Sequence, residues 1–226
     1  MNNAKSVSTI SLITVPSLIT LAITILRLVG ELEGWPKPWF SPAAGGGAAI
    51  VGISWLPIVF GPYFALKLAG AGERPASLGK AMGFAFLGLV VFILGGLVFQ
   101  LGIGQALSLV LLAALIWLVA AFIPGIAWRA LGNTLLAYAF AARIPVVIVM
   151  FFAMRGNGGH GWGTHYDAAP PIPMFAHASF ASKFFGLAIL PQLTLWIAWT
   201  VVVGSIFGGI AAAIMRRGKN GAPAEV

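Results

Sequence analysis

Six stretches of the chain, approximately residues 7–29, 47–68, 81–101, 105–127, 130–154 and 187–215, are apolar for long enough to cross a membrane. That feature constrains the fold more than any other. A helix needs roughly 20 predominantly apolar residues to cross a hydrocarbon core of about 30 Å. In lipid the backbone must satisfy its own hydrogen bonds, which leaves helices and closed barrels. Barrel strands are much shorter and alternate in polarity, unlike these runs. The expected class is an all-α integral membrane protein, a polytopic bundle of about six transmembrane helices. It forms one transmembrane domain over residues 1–226, with two longer outer loops at 30–46 and 155–186. Composition agrees, since 60% of the residues are hydrophobic and 8% are charged, against about 25% charged in soluble domains. A water-soluble domain is excluded.

The excess of 13 Lys and Arg over 5 Asp and Glu would suggest nucleic acid in a soluble protein. Here the basic residues sit at the ends of the apolar runs, so the expected partner is the lipid bilayer and not nucleic acid. Residues 1–6 carry one Lys and lead into an apolar run of about 23 residues, longer than a signal-peptide core of about 7–15, so this run reads as a retained first span. Lys and Arg are held on the cytoplasmic side in short connections. With the N-terminus inside, eight basic residues fall on the inner side (Lys5, Lys67, Arg74, Lys80, Arg129, Arg216, Arg217, Lys219) and four on the outer (Arg27, Lys37, Arg155, Lys183). The expected location is a plasma or inner cell membrane with both termini cytoplasmic.

Both long connections then lie outside. Trp35, Trp39, Trp162 and Tyr166 would form an aromatic belt at headgroup depth. Met174, Phe175, Phe180, Phe184 and Phe185, interrupted by His177 and Lys183, read as an apolar segment lying on the membrane surface. Spans three and four are separated only by Gly102-Ile103-Gly104, which predicts a tight hairpin. Pro191 near the start of the last span predicts a kink or an interfacial lead-in. Pro16-x-Leu18 and Pro191-x-Leu193 echo one another, but the register is then lost and no internal repeat results.

Arg143 is the ionisable residue within a span that topology does not explain. An Arg near the bilayer midplane costs about 2.5–3.5 kcal/mol on insertion scales, so it should face the interior and have a partner. Glu31 or Glu33, carbonyls freed by Pro145, or a bound anion could serve. Span two carries Ser54, Pro57 and Pro62, and two prolines so close predict a discontinuous helix. Such breaks create solute sites in transporters, though proline also simply bends membrane helices. Arg143, Ser54, Pro57 and Pro62 are therefore the candidate solute-binding residues.

Small residues mark packing faces. Gly88, Gly95 and Gly102 recur every seven residues; Gly204, Gly208 and Ala212 lie beside Ser205, Gly209 and Ala213 at intervals of four. This spacing lets helix backbones approach closely, either within one bundle or against a second copy or another membrane subunit. The outer sequence GNGGHGWGTHYD holds His160, His165 and Asp167, which could ligate a metal, with His177 beyond. Their spacing matches no ligand motif, and a solvated glycine-rich loop with hydrogen-bonding His is the better account of them.

No cofactor is strongly implied. The absence of Cys excludes thiolate catalysis and Cys-ligated metal. No His or Asp lies in a span, which argues against bis-His haem and an intramembrane aspartyl pair, and H-E-x-x-H, G-x-S-x-G and P-loop patterns are missing. The reading leans away from an enzyme. The first expectation is a non-catalytic subunit or scaffold of a membrane assembly. The alternative is a small-solute carrier or channel, with an anion as its solute, using Arg143 and the broken second helix. Third comes a membrane enzyme with an outer His/Asp metal site.

Overall fold

The computed structural model describes residues 8–170, 175 and 177–220. Among these every regular element is helical: α1 (Thr9–Leu32), α2 (Leu56–Gly70), α3 (Leu78–Gly102), α4 (Leu107–Ala127), α5 (Arg129–Gly159), α6 (Phe180–Phe184), α7 (Leu190–Leu193) and α8 (Leu195–Asn220). A π-helical turn, Phe185–Ile189, joins α6 to α7. α1, α3, α4, α5 and the run Phe180–Arg216 are each long and apolar enough to cross a membrane.

α2 has 15 residues, about 22 Å at 1.5 Å per residue, so the helix alone is shorter than a hydrocarbon core of about 30 Å. The expected second span of 47–68 is thus half irregular. Pro57 stands in the first turn of α2, where its missing N–H costs nothing. Before it, Gly45, Gly46 and Gly47 take φ of +71°, +86° and +51°, left-handed values that glycine adopts without steric cost. The chain therefore turns where the hydropathy pattern implies helix. The last span is longer than its apolar run. Pro191 cannot donate to the carbonyl four residues earlier, and the interruption is absorbed by the π turn and by Thr194, at φ −120° and ψ −73°. Phe180 and Phe184 of the expected surface segment pack against Phe151 of α5, so they begin this last helix. Met174 lies outside the described residues.

α3 and α4 form the expected hairpin. A Cβ on Gly95 would meet the Trp117 ring at 2.7 Å, and one on Gly102 would meet Leu109 at 2.6 Å. Gly88 faces the Ala120 carbonyl and Pro124 at 3.3 Å. The second seam is also internal. A Cβ on Gly61 of α2 would run into the Gly204 backbone, and one on Gly208 would lie 2.9 Å from the Gly61 carbonyl oxygen. Leu135 and Leu131 of α5 cover Gly204 and Gly208 from the other side, and Ala212 is buried. Without a hydrophobic drive between helices in lipid, such close approach supplies the dispersion contacts that hold the bundle.

Outward faces are apolar and exposed. Val90, Leu94, Leu97 and Leu101 of α3 and Leu115, Val119 and Phe122 of α4 point away from the core, as lipid-facing positions do. The interior carries Phe64, Leu131, Leu135, Tyr138, Ile197 and Val201. α1 shows the inverse pattern to a soluble amphipathic helix: Thr20, Thr24, Arg27 and Glu31 are buried while Val15, Leu18, Ile25 and Leu26 are exposed. These four polar residues recur at intervals of three and four and so share one face.

Candidate functional site

That polar stripe begins with a helix-local device. Thr20 and Thr24 each donate to the carbonyl four residues earlier, at 2.7 and 2.9 Å, a bond that lets a hydroxyl sit in an apolar interior. Thr20 Oγ1 also lies 2.8 Å from the Tyr138 hydroxyl of α5, and Tyr166 donates to the Thr24 carbonyl at 3.1 Å. One turn on, Arg27 Nε donates to Glu31 Oε1 at 2.8 Å. The Glu31 side chain has no exposed surface and that of Arg27 only 10%. A pair at i and i+4 faces itself along one helix, and pairing is what allows either charge to be buried.

Both long loops are fastened to this pair. Arg27 Nη2 donates to the Gly46 carbonyl at 2.8 Å and to that of Ser41 at 3.4 Å, so the glycine turn of the first loop folds over the guanidinium. Gly52 lies so close that a Cβ would stand 2.9 Å from Nη1. From the second loop, the His165 backbone N–H donates to Glu31 Oε2 at 2.8 Å, and the ring Nδ1 lies 2.7 Å from the same oxygen. A carboxylate only accepts, so Nδ1 carries the proton of the neutral ring. Burial pushes the His165 pKa below its usual value, against an opposing pull from Glu31, and burial raises that of Tyr166.

Beneath the loops lies a cavity of about 860 Å³. α1 packs on α5 and more lightly on α2, and makes no extensive contact with α3 or α4; the space between is the cavity. Thr24, Arg27, Arg143, His165, Tyr166 and Gln192 line one side of it. Ser54 also lines it. Phe60, Phe64, Leu135 and Tyr138 do not line it and pack together in the core.

Arg143 is 4% exposed. Its Nη1 donates to Gln192 Oε1 at 3.3 Å, and its guanidinium lies 4.7 Å from the Trp196 ring centroid. Its Nε has no partner among the described residues, and neither does its charge find a carboxylate within ion-pair reach. Glu31, one of the anticipated partners, is taken up by Arg27 and His165. The interruption at Pro191 is what sets Gln192 opposite Arg143. The polar wall therefore carries one uncompensated cation with free donors, in a setting of low dielectric where charge acts strongly.

The other anticipated residues are distributed as follows. Pro57 and Pro62 do not line the cavity; Pro57 is buried in the first turn of α2 and Pro62 lies within it. The metal set is corrected: among the described residues no three His, Asp or Glu side chains come together for a metal ion. His165 turns inward to Glu31, His160 is exposed, and Asp167 accepts from Gly163 N, Thr164 N and Thr164 Oγ1 at 2.9, 2.9 and 2.6 Å. Those bonds close the loop on itself. His177 is exposed. Tyr166 is corrected as well, since it is 3% exposed and belongs to the core instead of an aromatic belt, whereas Trp35 and Trp39 are exposed. Sequence reasoning missed the roles of Arg27 and Glu31 as a buried pair, and it missed Gln192. The three-four spacing of polar residues in α1 was the available signal for the first two.

Comparisons with protein-family models, with curated proteins and with solved structures return no match for this chain.

Proposed function

We propose that the protein is a multi-pass membrane protein that binds an anionic solute in this cavity, working as a carrier with the loops on the outer side and both termini cytoplasmic. The observation that carries the reading is Arg143, a buried cation with a free Nε and no carboxylate partner among the described residues, set in the wall of a cavity large enough for an organic molecule. An intramembrane ionisable residue facing a cavity is a functional site by default, and charge-assisted bonds from a guanidinium suit carboxylate and phosphate.

The assembly-subunit reading loses part of its support, because both small-residue seams are filled by helices of the same chain. The metal-enzyme reading loses its clustered ligands. Reconstituted into phosphatidylcholine vesicles, the protein should exchange at least one of labelled hexadecyl phosphate, benzenesulfonate and inorganic phosphate. Exchange should fall in Arg143→Gln protein that still folds. No exchange of any of the three, or exchange unchanged by the substitution, overturns the proposal.

A further inference from the structure

We infer that the ligand is a single-chain amphiphile with an anionic head, a carboxylate or a phosphate monoester, whose head pairs with Arg143 and whose chain lies against the α3–α4 wall. The inference rests on the anion-binding reading above and narrows its ligand.

Polarity in the cavity is divided by element. α1, α5, the second loop and the segment around Pro191 contribute every charged lining residue. α3, its turn and α4 contribute Phe99, Ile103, Leu107, Val110, Leu111 and Trp117. The one polar atom among those six side chains, Trp117 Nε1, is already donated to the Phe92 carbonyl at 3.1 Å. Because α1 makes no extensive contact with α3 or α4, its charged face and the apolar α3–α4 residues border the same cavity from separate helices. A compact inorganic anion would satisfy the first and leave the second against water, which apolar surface resists. A ligand with an anionic end and a hydrocarbon end matches both.

Size agrees. At about 860 Å³ the cavity stands near the upper end of the roughly 300–1,000 Å³ usual for small-molecule sites, far beyond the needs of phosphate or chloride. The head site is also built for a single anion. Arg27 is the weaker anion site, since Glu31 meets its charge and the Gly46 and Ser41 carbonyls occupy Nη2. Gln192 holds Nη1 of Arg143 and Trp196 lies against the guanidinium, which leaves Nη2, without a hydrogen bond among the described residues, for the ligand.

The test uses the full chain in phosphatidylcholine nanodiscs, with binding counted above that of empty discs. Palmitate and hexadecyl phosphate, which distinguish the two head groups, should between them include a saturable ligand. Acetate, inorganic phosphate and hexadecanol should bind at least ~10-fold more weakly than that ligand, and Arg143→Gln should weaken it by a similar factor, as expected for loss of a charge-assisted pair. Leu111→Trp, which fills the apolar side while leaving Arg143 untouched, should weaken the 16-carbon ligand more than its eight-carbon homologue. If acetate or inorganic phosphate binds as tightly as the long-chain anions, the amphiphile inference fails while the anion reading stands. Hexadecanol binding equally well and indifferent to Arg143→Gln, or no binding by any probe, overturns both.

Discussion

Glu31 does the most work of any single side chain at the loop end of the bundle. It neutralises Arg27 within its own helix and receives two bonds from His165. Removing one partner of a buried ion pair strands the other, at about 3–5 kcal/mol. Glu31→Ala should therefore lower unfolding stability by that order in thermal or denaturant melts, and a change below 1 kcal/mol would show that the pair is solvated. His165 adds a pH dependence. Arg27 already balances Glu31, so a second cation on that carboxylate gains little, and burial keeps the ring neutral, with Asp167 the other charge nearby. A His whose folded pKa is depressed contributes stability that is complete above its usual value of about 6.5 and is lost as pH falls through the folded value. Wild type should lose melting temperature on acidification below that range more steeply than His165→Gln. Parallel profiles would refute this.

At the scale of elements, glycines on one helix separate into two kinds. Gly95 of α3 abuts Trp117, whereas nothing lies within 4 Å of a Cβ placed on its neighbour Gly96. Gly95→Ala should cost about 1–3 kcal/mol through overpacking, while Gly96→Ala should be neutral or stabilising by up to about 1 kcal/mol from helix propensity. Equal effects in a melt would contradict the hairpin packing. The hairpin itself was legible, because a run of apolar residues, a Gly-x-Gly turn and a second run leave a chain few options. The second span was not. Hydropathy counts residues 47–55 as span, but Gly45 to Gly47 and Pro57 act through backbone dihedrals that hydropathy ignores. In the same way Arg143 could be found from its position in a run, whereas its contact with Gln192 depends on the break around Pro191 between α5 and α8. Arg27 and Glu31 were placed near a span end by their position, and only the three-four register of α1 shows that they face inward.

For the molecule as a whole, the two long loops share one end because Arg27 and Glu31 hold both. The opposite end is marked by Trp128 donating to the Glu73 carbonyl at 3.0 Å. A chain without cysteine is a convenient background for single-cysteine labelling. Lys37→Cys and His160→Cys should react with an impermeant maleimide from one face of the membrane and Ala76→Cys from the other. Labelling of all three from one face would break the topology. Most of the fold has a structural reason visible in its packing, while Arg143 does not: its burial costs free energy and little in the protein repays it. The most direct measurement is the melting temperature of Arg143→Met beside wild type, both free of ligand in the same nanodiscs. Removing a buried charge that awaits a ligand should leave the melting temperature unchanged or raise it, with anion binding lost. A fall of several degrees would mean that Arg143 holds the bundle together, and would contradict the account.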